Sequence, residues 1–315
     1  MGSDDKRRGG WLIESGAQTG ILAGRREGER DNGIISDALV LAKPGIVIAT
    51  ALAGFTGMVL AAQGLPGTTA ALVTVTCLIL AAAGAAMINN VLDAGLDLHM
   101  ARLRGRTAAL GRLGERRVFL AALAAVAVSL ALAVCFLNFL TALLILAAVL
   151  SYTVLYTLWF KRRSPFGAVV GGIPGALPVL IGSAAATGSV GPGSLLLFLV
   201  MLLWQPPHFW TLALHCREEY AVAQVPVLPA VKGESFTITS IFLFTASLLP
   251  ASLSLWHFGY CSGWYGGCAS LLWVVLLAFW YMDIVKGRRF ERAFRVSILY
   301  LTLLFLAIMV DVCVM

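Results

Sequence analysis

Charged residues fall in clusters along the chain, separated by long stretches that contain none. After Lys43 the next charge is Asp93, a gap of 49 residues. Similar stretches run over 118–160 (43 residues), 164–216 (53) and 235–282 (48), with a short one over 296–310 (15). A helix needs about 20 apolar residues to cross the hydrocarbon of a bilayer. Each of the four long stretches therefore predicts two crossing helices and a turn. Turn formers stand near the middle of each: Gly64-Leu65-Pro66-Gly67, Asn138, Gly188 to Gly193 with Pro192, and Gly259 to Gly267. The short stretch predicts one more crossing. The pattern is that of an all-α, polytopic membrane protein with nine spans. A polar tail over 1–43 precedes a nine-helix domain over 44–315.

Each hairpin returns the chain to the side it left, so every segment between hairpins shares one face. All 23 Lys and Arg then lie on that face, and the opposite loops carry none. The excess of Lys and Arg names it the cytoplasmic face. The N-terminus is then cytoplasmic and the C-terminus lies on the outer side, as expected in a bacterial plasma membrane. Of the 16 acids all but Asp311 share the cytoplasmic face. Transporters place ionisable groups near the bilayer midplane. Here the mid-spans are uncharged, which favours an enzyme or binding protein working at one face.

Composition sharpens this reading. Of 315 residues, 59% are apolar and 12% charged, against about 25% charged in soluble domains. Mean hydropathy is +0.88. A soluble globular enzyme, a disordered chain and a disulfide-stapled secreted fold are excluded. The net charge of +7 reads as membrane orientation, with no nucleic-acid partner. In the tail, Lys6, Arg7 and Arg8 follow Asp4 and Asp5. No apolar run precedes the first span, so no cleavable signal is expected there, and the acids argue against a transit peptide. The cysteines Cys77, Cys135, Cys216, Cys261, Cys268 and Cys313 show no CxxC spacing and read as apolar fillers. Cys261 and Cys268 share an outer loop on this reading, where pairing is the alternative.

Three clusters carry candidate chemistry. At the inner end of the second span, Asn89, Asp93 and Asp97 are spaced four apart. On a helix this places an amide and two carboxylates on one stripe. Hard oxygen ligands suit Mg²⁺ and leave room for phosphate. The ordinary alternative is a set of polar residues where a helix leaves the bilayer. Arg102, Arg104 and Arg106 follow, then Arg112, Arg116 and Arg117. The last three read as anchors to anionic lipid. Arg102, Arg104 and Arg106 lie within ten residues of Asp97 and are placed to hold phosphate oxygens.

The second cluster is Trp204-Gln205-Pro206-Pro207-His208-Phe209-Trp210, with Glu218, Glu219 and Tyr220 beyond it and Val225 to Pro229 after that. Glu218 and Glu219 occupy the matching inner end of another hairpin, as candidate ligands for a second metal ion. Two prolines inside a span are expected to open the helix and free its carbonyls. His208 sits at that break, and substrate contact competes with ordinary packing as its role. His215, His99 and His257 rate lower. The third cluster is Tyr152, Tyr156, Thr157, Lys161, Arg162, Arg163 and Ser164, where Lys161 and Arg162 either reach a diphosphate or mark the membrane edge. Gly171, Gly172 and Gly175 beyond it read as close-packing sites.

These clusters resemble the UbiA-type intramembrane prenyltransferases, and most closely the branch of that family that farnesylates haem. The likeness runs from Ala42-Lys43-Pro44-Gly45 to about Gly233. Asn89 to Asp97 is similar to the family's first Asp-rich motif, and Met100-Ala101-Arg102 with Arg106 to its continuation. Tyr156-Thr157 and Lys161-Arg162 match its YT and KR element. Trp204 to Phe209, Glu218-Glu219-Tyr220 and Val225 to Pro229 resemble the haem branch's WQ-x-PHF, DDY and VPxLP. Gly95 stands where the family often has a third Asp, and Glu218-Glu219 where it has Asp-Asp.

The resemblance implies a UbiA-type nine-helix bundle in which Mg²⁺ is held by Asn89, Asp93, Asp97, Glu218 and Glu219. Diphosphate would be bound by Arg102, Arg106, Lys161 and Arg162. Asp93, Asp97 and His208 take the catalytic roles. Tyr156, Trp204, His208 and Phe209 line the substrate pocket, with Trp159 and Trp210 as further aromatic candidates. The implied reaction transfers farnesyl from farnesyl diphosphate to a vinyl group of protohaem IX (haem b), giving haem O for haem-copper oxidases. Haem A synthase or oxidase assembly proteins are the implied partners, besides the lipid bilayer. A UbiA-type enzyme for a quinone-precursor or other tetrapyrrole acceptor is one alternative. A non-catalytic haem-binding assembly protein is another.

Overall fold

The computed structural model describes residues 33–314, so most of the tail lies outside the described residues. Among these, nine helices are long and apolar enough to cross a membrane. They are α1 (Pro44–Ala62), α2 (Thr68–Leu92), α3 (Glu115–Phe136), α4 (Phe139–Arg163), α5 (Gly167–Thr187), α6 (Pro192–His215), α7 (Glu234–His257), α8 (Gly263–Lys286) and α9 (Phe290–Val314). The expected turns fall where the turn formers stand: 63–67, 137–138, 188–191 and 258–262. The last span is longer than its charge-free stretch, since α9 takes in Glu291, Arg292 and Arg295.

Contacts at the helix ends sort the hairpins. At one end Gln63 donates from Nε2 to the Tyr260 carbonyl (3.4 Å), and Asn138 from Nδ2 to the Ala184 carbonyl (2.7 Å). Asp311, 2% exposed, accepts from Ser262 N (2.7 Å) and Ser262 Oγ (2.5 Å), capping the start of α8. At the other end Asp37 pairs with Arg112, Lys161 with Asp93, Arg102 with Glu219 and Arg288 with Glu234. The charged segments thus gather at one end of the bundle, opposite Asp311. The final part of the tail forms a helix, Ile34–Ala42, at the charged end.

Neighbouring helices pack α1 on α5, α2 on α3, α6 on α7, and α9 back onto α1 and α6. Small residues permit these approaches. A Cβ on Gly182 would lie 1.9 Å from the Gly54 carbonyl oxygen, and one on Gly57 2.2 Å from that of Val179. Many large apolar side chains face outward, among them Phe139 (75% exposed), Leu271 (64%) and Leu299 (57%). Water would penalise that surface, and lipid accepts it.

Two local expectations change. Pro206 and Pro207 do not break the helix: α6 runs unbroken from Pro192 to His215. Each proline removes one N–H donor, but no water competes for the remaining backbone, and both rings are buried. The irregular turns lie elsewhere, in wide π-helical segments over Ser151–Phe160 and Tyr281–Lys286. Cys261 and Cys268 are both free, and Cys268 lies within α8, not in a loop. Asn138 caps α4 through Oδ1, accepting from Thr141 N (2.8 Å) while its amide holds α5. Asn138→Ala is expected to cost about 1–2 kcal/mol, seen as a lower thermal midpoint in detergent.

Candidate active site

The Asn89, Asp93 and Asp97 stripe survives the end of α2. The helix stops at Leu92, yet Asp93 N bonds the Asn89 carbonyl and Asp97 N that of Asp93, both at 2.9 Å. The three side chains are therefore stacked on one side, and they are 5%, 1% and 6% exposed. Asn89 Nδ2 donates to Asp93 Oδ2 (2.8 Å) and to Thr157 Oγ1 (3.0 Å). The π-helical segment of α4 supplies Thr157, whose hydroxyl reaches the Tyr152 carbonyl five residues back. Lys161 Nζ pairs with Asp93 Oδ2, and Arg162 Nη2 lies 3.3 Å from Oδ1.

Lys43, which the sequence marked only as the start of the family likeness, joins the site. Its backbone is left-handed (φ 56°) and the residue is 9% exposed. Nζ donates to Asn89 Oδ1 at 2.5 Å. The buried Asn90 holds this turn by donating to the Leu41 carbonyl (2.7 Å). Burial first, then repulsion from Arg106 and Lys161, brings the Lys43 ammonium down to about 7. Burial likewise raises the Asp97 carboxyl and lowers the Arg106 guanidinium. A Lys beside Pro-Gly at the start of a span was the only signal in the sequence.

Arg102 is turned to the other charged segment. Its Nε lies 3.1 Å from Glu219 Oε2, and Nη2 donates to Tyr220 Oη (3.2 Å). Glu219 is thus drawn to Arg102, and Glu218 is exposed. Neither joins Asp93 and Asp97: among the described residues no three His, Cys, Asp or Glu side chains converge. The donors left for a metal are Asn89 Oδ1 and the carboxylates of Asp93 and Asp97. All are hard oxygens, and all already sit against cationic nitrogens or in their field. That chemistry fits a divalent cation with a polyanionic ligand.

The aromatic candidates divide. Tyr156 stacks with Tyr152 (6.0 Å) and lies against Gly171, where a Cβ would approach within 2.8 Å. Phe209 meets Tyr220 at 6.2 Å. Trp204 donates from Nε1 to the Ser297 carbonyl (3.0 Å) and stacks on His208. The π-face of Trp159 is exposed to Arg163 (4.2 Å), so it faces outward. Trp210 is buried edge-on against Phe244 of α7. His208 packs between α6 and α9, on Trp204, Phe294 and Ser297, and makes no direct contact with the acidic stripe.

Comparison with known proteins gives the family and the fold. A family model described as the UbiA prenyltransferase family matches residues 47–309. A Geotalea uraniireducens protein named Protoheme IX farnesyltransferase is 55% identical over 256 residues, covering 81% of this chain and 99% of the relative. Protoheme IX farnesyltransferase 1 of Pseudomonas putida GB-1 is 39% identical over 294 residues, with 92% and 97% covered. Among solved structures, a UbiA homologue from Aeropyrum pernix K1 superposes with a TM-score of 0.71 at 17% identity, covering 84% of this chain and 97% of that one. A UbiA homologue from Archaeoglobus fulgidus, bound to GPP and Mg²⁺, gives 0.65 at 16% identity, with 87% and 99% covered.

Proposed function

The chain belongs to the UbiA prenyltransferase family, and from that premise we propose that it transfers farnesyl from farnesyl diphosphate to a vinyl group of protohaem IX, making haem O. The observation that carries the acceptor is the 55% identity, over nearly the whole of a relative bearing the name Protoheme IX farnesyltransferase. The buried acidic stripe ringed by basic groups supports the donor. It is an integral membrane protein, and the plasma membrane, with the charged end in the cytoplasm, is its proposed setting. Haem A synthase or oxidase assembly proteins are its proposed partners.

In this reading Asn89, Asp93 and Asp97 hold Mg²⁺, and Glu219 and Glu218 stay outside the ligand set as the bundle stands. When bound, the ion supplies Lewis-acid stabilisation of the diphosphate leaving group. Lys43, Arg106, Lys161 and Arg162 surround the same point and bind the diphosphate oxygens. Arg102 closes one side by tying its segment to Glu219. Charge that develops as the farnesyl C–O bond breaks meets cations already fixed in place, so little reorganisation is needed. The vinyl carbon takes the farnesyl group, and water adds hydroxide to its neighbour and releases a proton. Tyr156 and Phe209 line the apolar route of the prenyl chain, and burial keeps the allylic cation from bulk water.

The test is mass spectrometry of haem from cells with and without the protein. A farnesyl-sized gain on haem is expected only when the protein is present. A gain on another ring, or none, overturns the assignment.

A further inference from the structure

Two polar groups lie unpartnered on the seam between α5 and α6. The first is Gln205, ten residues before α6 ends at His215, or about 15 Å inside at 1.5 Å per residue. The outward-facing Leu195 and Leu199 are turned about 80–120° away from it around the helix. Gln205 faces α5 instead: a Cβ on Gly175 would lie 2.1 Å from its Nε2 and 3.2 Å from its Oε1. Its amide makes no hydrogen bond among the described residues and keeps accessible surface. The second group is the Leu202 carbonyl. A helical carbonyl accepts from the N–H four residues on, and Pro206, which stands there, has none. This oxygen lies 3.5 Å from a Cβ position on Gly172. Gly172 and Gly175 are three apart, so their β positions are about 5–6 Å from each other. One water spans that distance with two hydrogen bonds of about 2.8 Å.

The seam opens toward the acidic stripe. Gly171 and Gly175, four apart, share a side of α5. Tyr156 covers Gly171, and Gln205 covers Gly175 one turn deeper. Thr157, beside Tyr156, is the residue that bonds Asn89. Further out on the same side, Gly54 of α1 closes over Pro178 and Gly182. Every residue of α5 from Ala176 to Ala184 is buried, whereas Gly171 and Gly175 stay partly accessible. Open space therefore lies beside Gln205, between the closed outer seam and the diphosphate site.

We propose that Gln205 and the Leu202 carbonyl hold the one water that ends the reaction; this rests on the farnesyl-to-haem reading. That reaction needs a dry pocket for the allylic cation, yet it consumes a water. When the terminal vinyl carbon takes farnesyl, the positive charge moves to the carbon joined to the porphyrin. A water on this seam donates one proton to Gln205 Oε1 and the other to the Leu202 oxygen, both acceptors. Its lone pairs are left for the cation. The water oxygen forms the C–O bond, and the proton it sheds passes to the departing diphosphate, the base that the reaction itself releases. A buried water takes about two to four polar partners, and this seam supplies them. An amide suits the task because it is uncharged, costs less to bury than a carboxylate, and is a weaker nucleophile toward an allylic cation. Gln205 is thus a positioning residue that acts through the water. Without that water the cation loses a proton from the adjacent methylene and becomes an alkene.

The experiment incubates the purified full-length protein in detergent with Mg²⁺, farnesyl diphosphate and haem b, and resolves the products by mass spectrometry. The alkene is lighter than the alcohol by one water. The wild type is expected to give the alcohol. Gln205→Met keeps the volume and removes the hydrogen bond, and its alcohol-to-alkene ratio is expected to fall about tenfold, the scale of one hydrogen bond. Gln205→Glu, which keeps an acceptor oxygen, is expected to recover the ratio. Pro206→Ala returns an N–H to the Leu202 carbonyl and favours the helix, and it is expected to shift the ratio in the same direction. A change of packing alone slows both products together and leaves the ratio as it was. An unchanged ratio in Gln205→Met therefore overturns the water site, whatever its rate. If Gln205→Met gives no product, Pro206→Ala decides: an unchanged ratio, or no product, overturns the water site. In either case alcohol from the wild type leaves the reaction itself standing. A wild type that puts no farnesyl on haem removes the underlying reading and the water site with it.

Discussion

Asp93→Ala is expected to lower kcat/KM for prenyl transfer by about a thousandfold, and Asp97→Asn by about a hundredfold, on the scale of losing one preorganised charge-stabilising group. Asp93 is the hub of the inner face. It is 1% exposed and is shared by Asn89, Lys161 and Arg162. Its removal takes away a metal donor and also leaves two cations without their carboxylate. Breaking such a buried pair costs about 3–5 kcal/mol, so Asp93→Ala is expected to lose stability as well as turnover. Asp97 separates the two effects. Its side chain makes no direct hydrogen bond among the described residues, so Asp97→Asn leaves the packing in place. The expected result is a large fall in Mg²⁺-dependent turnover with a nearly unchanged thermal midpoint. Full turnover in both variants would remove the acidic stripe from the mechanism.

The second large effect is structural. Gly182→Ala is expected to cost more than about 3 kcal/mol, beyond the usual range for overpacking. The added carbon would lie 1.9 Å from the Gly54 carbonyl oxygen and 2.8 Å from its carbon. These are backbone atoms of α1, which cannot rotate away as a side chain does. Helices α1 and α5 would have to separate along the seam that also holds Gly57 against Val179. Since Lys43 caps the start of α1, the movement reaches the inner site. Gly111→Ala is the control. It lies at an exposed position of the helix Arg104–Leu113, with nothing within 4 Å of the new carbon. There alanine is the better helix former by about 1 kcal/mol. The comparison is the monodisperse fraction after detergent extraction together with the thermal midpoint. Equal behaviour of the two variants would mean that the α1–α5 seam is looser than its geometry.

The prolines and the basic residues show where sequence reasoning stops. Pro206-Pro207 carries a strong local signal for a break, yet α6 continues, because the lipid-embedded backbone has no competing partner. The distortion that matters is in α4, where no residue in Ser151–Phe160 announces a wider turn. Arg102 and Glu219 were each legible as functional residues, for phosphate and for metal. That they pair with one another depends on how the two inner segments meet, 117 positions apart in the chain.

The sequence by itself determined the nine crossings, the one-sided distribution of charge, and the stripe of Asn89, Asp93 and Asp97. These follow from period and composition: a bilayer fixes helix length, and a helix fixes which residues four apart share a side. Tertiary structure decided the rest. It brought Lys43 from the first span onto Asn89, Lys161 and Arg162 from the fourth onto Asp93, and Ser297 from the ninth onto His208. Those partners come from different helices, and their meeting depends on how closely the backbones approach, which small residues such as Gly54 and Gly182 permit. A ligand set is a property of such meetings, and no spacing within one segment contains it.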